Sequence, residues 1–372
     1  MKRIIIIGAG ILGASAAYHL AKRGADVLVV DRMDNGQATD AAAGIICPWV
    51  SQRRNKAWYA LAKGGASYYP ELIRLLEEDG ETNTGYRKVG AINLHRELGK
   101  LEKMEARALE RKKEAPEIGQ VKLLNESETS NLFPLLSEGF SSVHIEGAAR
   151  VDGRAMRAAL INASEKHGAV FMNGNARLVV HNGKAFGINV GGEEIKASRI
   201  IITAGAWAGE LMEPLNLNVQ VTGQKAQIVH LHIDGHHTEK WPVVMPPTDQ
   251  YILPADEGKV VIGATHEDEA GFTLHATAGG IHEVLSKALN VAPGLEEAAF
   301  QEIRVGFRPF TPGFLPVIGE VPGHPELLFA NGLGASGLTV GPFLGKQLAN
   351  IALGCDVEID LSLYKVENAV SM

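Results

Sequence analysis

Ile4-Ile5-Ile6-Ile7-Gly8-Ala9-Gly10-Ile11-Leu12-Gly13 is the stretch that decides the fold. Four consecutive isoleucines show no alternation, so they read as a strand buried on both faces, as in a parallel sheet. Glycines 8, 10 and 13 follow at once. Ala17, Leu20, Gly24 and Val27 then fall where a helix packing back on that sheet, and a second strand, should place small or apolar residues. The second strand, Val27-Leu28-Val29-Val30, ends in Asp31. Strand, glycine turn, helix and terminal acid together form a dinucleotide-binding fingerprint. Gly8 makes the tight turn, Gly10 lets the backbone approach a pyrophosphate, and Gly13 lets helix and strand touch. Free N–H groups at the helix start suit phosphates, and the Asp31 carboxylate suits a ribose hydroxyl. The expected ligand is an ADP-containing cofactor. Asp31 argues against a 2′-phosphate, and Arg32 beside it reads as a solvated charge next to the adenosine.

A chain of 372 residues is too long for one ordinary core and suggests about two domains. Hydrophobic residues at 45% and charged residues at 21% describe a globular chain, and a net charge of -7 makes nucleic acid an unsuitable partner. Cys47 and Cys355 are far apart and have no metal-type spacing, as in a reducing compartment. Lys2-Arg3, the isoleucines and Ala14-Ser15-Ala16 imitate a secretory leader, but the fingerprint accounts for the same residues. No stretch reaches the roughly 18 apolar residues of a membrane span, so the expectation is a soluble, cytoplasmic protein without a transmembrane segment.

Further along, Gln37 to Gly44 is a run of tiny residues, read as backbone lying close against something flat or bulky. A helix is expected from Ala57 to Glu78, interrupted near Pro70, and a charged one from Leu98 to Lys113. Ser127 to Asn131 is expected to cap a short helix. Asp152 reads as the N-cap of a helix ended by Gly168, and Asn182-Gly183 as a tight I′ hairpin turn. Arg199-Ile200-Ile201-Ile202-Thr203-Ala204-Gly205-Ala206-Trp207 repeats the buried strand and small-residue turn, which implies a discontinuous nucleotide domain. Residues 220–300 read as β-rich, with Tyr251–Pro254 and Lys259–Gly263 flanking a turn. His230, His232, His236 and His237 lack a companion carboxylate or cysteine set, so no metal is expected. Finally, a strand at Leu327–Ala330 runs into Asn331-Gly332-Leu333-Gly334-Ala335-Ser336-Gly337-Leu338-Thr339, a glycine-rich helix entry that would stabilise negative charge.

Six motifs in this order resemble the D-amino-acid oxidase superfamily of FAD-dependent oxidoreductases, most of all its glycine oxidase and D-amino-acid dehydrogenase branch. They are the fingerprint with Asp31, the Ala41–Gly44 segment, the Thr203-Ala204-Gly205 turn, Tyr251–Pro254, Gly306-Phe307-Arg308-Pro309, and the last glycine loop. The resemblance implies an α/β plus α+β fold. A Rossmann-like FAD domain would take residues 1–85, 140–215 and 305–372, with a β-rich substrate domain, 86–139 and 216–304, inserted. It implies FAD contacts at the fingerprint glycines, at Ile11 and Leu12, Asp31 with Arg32, Ala38 with Thr39, and Ala42, Ala43, Gly44 and Ile45. Ala176, Ala204 and Gly205 join them, as does the loop Gly332 to Thr339 at the flavin's N1 and C2 edge. No cysteine stands near Arg308, so the FAD is expected to be non-covalent.

The implied reaction is hydride transfer from the α-carbon of an unprotonated amine to flavin N5, giving an imine that water hydrolyses to a keto acid and ammonia. A planar guanidinium grips a carboxylate in two places, so Arg308 is the expected substrate clamp, with the Tyr251 phenol adding a hydrogen bond. No protein acid or base is required once the amine is neutral. Glycine oxidases carry a second arginine in the C-terminal loop where this chain has Ala335. Either Arg308 works alone, a cation such as Arg304 substitutes, or the substrate is not a simple small amino acid. The readings in order are a small amino acid of glycine or D-amino-acid type, a secondary amine such as sarcosine or a cyclic imino acid, and an FAD subunit that only passes electrons. The electron acceptor (oxygen, a quinone or another) and self-association stay open.

Overall fold

The computed structural model describes residues 3–371. Its first sheet is built on Ile4–Ile7, which lies between two parallel neighbours, Val27–Asp31 and Arg199–Ile202. The four isoleucines are at most 6% exposed, as a strand covered on both faces requires. Val170–Asn173 extends the sheet beyond Val27–Asp31. His324–Asn331 extends it beyond Arg199–Ile202, and Val317–Val321 closes that edge antiparallel. Helix Ile11–Ala21 leaves the glycine turn and is buried along its whole length. It is sandwiched between the sheet and the C-terminal helix Gly337–Leu353, with the Ser15 hydroxyl donating to the Pro342 carbonyl at 2.7 Å.

The second sheet has eight strands in the order Ala299–Phe310, Thr222–His232, Lys259–Gly263, Tyr251–Pro254, Val243–Met245, Ala91–His95, Ser141–Ile145, Val121–Leu124. Its long ribbon, 222–232 against 299–310, places Gln224 opposite Arg308. The ribbon is tied to the first sheet's side by the Phe307 N–H, which donates to the Gly36 carbonyl at 3.0 Å. This is the expected architecture: a discontinuous Rossmann-like FAD-binding domain with a second, β-rich domain inserted. Two expected boundaries differ. Ser141–Ile145 pairs with Ala91–His95, and residues 305–310 pair with 222–227, so both belong to the eight-stranded sheet. The chain crosses back at Ala149–Arg150, which pairs with Ile45–Ile46 and Arg87–Lys88 in a small junction sheet.

Local signals held where a side chain or a positive φ dictates the backbone. The Asp152 carboxylate accepts from the N–H groups of Arg154 and Ala155 and starts helix Gly153–Lys166. Asn182 and Gly183 have φ of 51° and 74°, as a I′ turn demands. The helix at 56–78 is not interrupted at Pro70. Tyr68, Tyr69, Leu72 and Leu76 bury its face on both sides of the proline, and that packing outweighs one lost backbone bond. The short helix is Glu126–Leu132, capped not at Ser127 but by a reciprocal Asn125–Glu128 pair.

Candidate active site

Between the two sheets lies a cleft with a cavity of about 800 Å³, and most of the anticipated residues line it. One end is made by the fingerprint. Gly8, Gly10, Ile11 and Leu12 line it beside Ala38, Thr39 and Ala42 to Ile45. The Thr39 hydroxyl accepts from the Ile11 N–H at 3.0 Å. The next N–H groups of the first turn have no intrahelical acceptor and are the natural donors to an anion. A Cβ built at Gly10 would lie 3.4 Å from Thr39 Oγ1, so the missing side chain leaves open the space beside those donors. Asp31 is held in place by the N–H groups of Ala9 and Met33, both at 2.5 Å, and by Gln37 Nε2 at 2.8 Å. Ala176, Ala204 and Gly205 line the same region. Arg32 also lines it, but its guanidinium is already paired with Asp34 at 2.7 Å and Glu210 at 3.0 Å, so no phosphate reader is free there. From the C-terminal loop, Leu333, Gly334, Ala335, Gly337, Leu338 and Thr339 complete the wall, and Thr339 Oγ1 donates to the Ile45 carbonyl at 3.0 Å. The donor set, an anion-binding turn plus an acid at the second strand's end, fits the ADP half of FAD.

Three anticipated cofactor residues do not line the cavity. Gly13 is a packing glycine, since a Cβ there would lie 1.9 Å from the Gly8 carbonyl oxygen. Gly332 has φ of 82° and packs against Thr311, where an added Cβ would lie 2.0 Å from its hydroxyl. The Ser336 hydroxyl is turned away to accept from the Trp58 indole at 3.1 Å.

The other end of the cavity belongs to the eight-stranded sheet. Arg308 and Tyr251 both line it. Arg308 Nη1 donates to Gln224 Oε1 at 3.1 Å, and Gln224 Nε2 in turn donates to Asp268 Oδ1 at 2.7 Å. Among the described residues no carboxylate forms an ion pair with Arg308, and its hydrogen-bond partner is a neutral amide. Burial lowers the guanidinium from its ordinary value, with the nearby Tyr251 phenol opposing it. Burial pushes the Tyr251 phenol up to about 12, so it stays a neutral donor. Arg304 is no substitute clamp. It grips Glu302 at 2.5 and 2.8 Å and lies outside the cavity lining.

Asp249 and His266 also line this end, and the sequence reading missed both. Asp249 stands two residues before Tyr251, and His266 three after Gly263. Tyr251 pairs with Gly263, so the register of that hairpin was the signal that would have brought them together. Burial first, then Arg308, lower the His266 imidazole from its ordinary value. The described residues contain no cluster of three metal-ligating side chains, and no helix is long and apolar enough to cross a membrane.

A family model described as FAD dependent oxidoreductase matches residues 3–351, and the chain belongs to that D-amino-acid oxidase family of flavoenzymes. It is therefore an FAD-dependent amino-acid or amine oxidoreductase of the glycine oxidase-like branch. Among its relatives, the uncharacterized oxidoreductase YurR of Bacillus subtilis (strain 168) is 59% identical over the full length of both chains. The solved structure of iminodiacetate oxidase (IdaA) from Chelativorans sp. BNC1 is 45% identical, covers 98% of each chain and superposes with a TM-score of 0.95. Glycine oxidase from Geobacillus kaustophilus is 25% identical over 98% of this chain and 99% of its own, with a TM-score of 0.85.

Proposed function

We propose that the protein oxidises a small secondary amine bearing a carboxylate, with N-carboxymethyl amines of the iminodiacetate type the first class to test. The observation that carries this reading is Arg308, a half-buried guanidinium lining the cavity whose hydrogen-bond partner is a neutral amide. Removing a cation from water without an anion is costly, and a bidentate carboxylate repays that cost. FAD, held by the fingerprint turn, Asp31 and the Leu333–Thr339 loop, supplies the two-electron acceptor for the C–H bond. Arg308 and Tyr251 then hold the carboxylate and fix which C–H is presented, while the imine product is left to hydrolysis. The greater similarity to iminodiacetate oxidase than to glycine oxidase supports putting the secondary amine ahead of a primary glycine or D-amino acid in this reading, the reverse of the order suggested by the sequence motifs. Small side chains at Ala226 and Ala335 in the lining support that order, since they leave room for an N-substituent.

Anaerobic mixing of the purified holoprotein with a panel of amines is the test. Iminodiacetate or sarcosine should bleach the flavin absorbance fastest. Bleaching by glycine or a D-amino acid alone would restore the primary-amine reading. No bleaching by any amine would leave an FAD protein that only passes electrons. Repeating the successful reaction in air with peroxide detection identifies oxygen as the acceptor or excludes it.

A further inference from the structure

We infer that His266, beside the Asp249 carboxylate, takes the proton from the substrate's ammonium nitrogen before oxidation. The inference rests on the amine-oxidation reading above. It starts from a chemical need: a C–H bond gives up its hydride only when the neighbouring nitrogen has a free electron pair, and amines are protonated in neutral water. One N–H bond of the ammonium breaks, an N–H bond forms on the imidazole, and no electrons change hands.

Four observations single out His266. It lines the same cavity as Arg308 and Tyr251 and is close enough to Arg308 to feel its charge. Its Nδ1 lies 3.8 Å from Asp249 Oδ2, an ion-pair distance at which the carboxylate favours the imidazolium that forms when the ring takes a proton. Asp249 is fixed from behind by Lys287 at 3.1 Å, on helix Ala278–Val291, and Lys287 also holds Glu283 at 2.8 Å. Finally, the His266 side chain is 41% exposed, a route by which the proton can leave to water.

The charges around the ring agree with this role. Burial and Arg308, with Lys287, keep the imidazole below its ordinary value, while Asp249 and Glu283 pull the other way, so the ring is neutral at pH 7. A substrate carboxylate docking on Arg308 cancels that arginine's charge and makes the imidazole more basic as the ammonium arrives. The other groups at this end cannot serve. Tyr251 stays protonated to about 12, and Arg308 never gives up its proton. Burial works to raise the Asp249 carboxyl, but the Lys287 hydrogen bonds outweigh it and hold it below the usual range.

The experiment is the pH profile of kcat/KM from pH 5 to 10 for wild type and His266→Gln, using the amine that bleaches the wild-type flavin. At pH 7 His266→Gln should be slower by about 10²-fold. The deficit should shrink by about tenfold per pH unit as free amine accumulates in solution, and close where the substrate is fully unprotonated. Asp249→Asn is the second variant. It keeps the imidazole but removes the anion that raises it, so the acid limb of the profile moves to lower pH. Binding of methylthioacetate, which has no amine, followed by the flavin spectrum, should be equal in all three proteins. A deficit that stays constant with pH, or the absence of any deficit, overturns the inference. Failure of every amine to bleach the wild type overturns instead the substrate reading on which it rests.

Discussion

Arg308→Ala lowers kcat/KM by about 10²-fold or more while the protein remains yellow. A guanidinium offers two parallel hydrogen bonds to a carboxylate, each worth about 1.5–3 kcal/mol when one partner is charged. Every 1.4 kcal/mol is a factor of ten, so losing one bond costs tenfold to a hundredfold and losing both costs considerably more. The loss should appear in both kinetic constants. KM rises because the anion has no partner, and kcat falls because the α-carbon is no longer fixed toward the electron acceptor. Arg308→Lys keeps the charge but not the planar fork and should fall between the two. Retained flavin separates this effect from misfolding, because the residues we assign to the ADP half lie at the other end of the cleft. Equal activity of Arg308→Ala and wild type would remove the residue from the site.

The second large effect separates the two fingerprint glycines, Gly10 and Gly13, by the different roles assigned to them. An alanine at position 13 would place its Cβ 1.9 Å from the Gly8 carbonyl oxygen and 2.6 Å from Thr203 Oγ1, contacts that real side chains do not make. Strand and helix must move apart, at a cost beyond the roughly 1–3 kcal/mol of ordinary overpacking. Thermal unfolding of Gly13→Ala should therefore show a fall in Tm even in FAD-free protein. An alanine at position 10 meets only Thr39 Oγ1, at an ordinary 3.4 Å, so the FAD-free protein should unfold like the wild type. Its methyl group instead occupies the space where the diphosphate approaches, and the purified protein should lose FAD. The same Tm for both apo variants, or full flavin in Gly10→Ala, would contradict the assignment.

The parts of this molecule legible in the sequence are those fixed by local rules. A run of four isoleucines can only be buried, a positive φ calls for Gly183, and Asp152 caps the helix that follows it. The cofactor end was legible for the same reason, since turn, helix and acid lie within 31 residues. Arg308 at the substrate end sits on a strand far along the chain from Tyr251, whereas Asp249 and His266 meet because Tyr251 pairs with Gly263, a hairpin register that was not drawn out of the two strands flanking the turn. Pro70 was misread for the opposite reason. The local rule is sound, but the aromatic and leucine face around it overrides one missing hydrogen bond. The membership of Ser141–Ile145 in the eight-stranded sheet is likewise a long-range choice, made by Ala91–His95.

In the proposed holoprotein FAD occupies the cleft, with a carboxylate-gripping arginine at its reactive end. The most direct measurement is a crystal structure of the holoprotein soaked with thiodiacetate, a thioether analogue of iminodiacetate that lacks the amine. The FAD diphosphate should lie at the start of helix Ile11–Ala21, with one carboxylate of the analogue paired fork-to-fork with Arg308. A cleft without FAD, or an analogue whose carboxylates both lie away from Arg308, would contradict it.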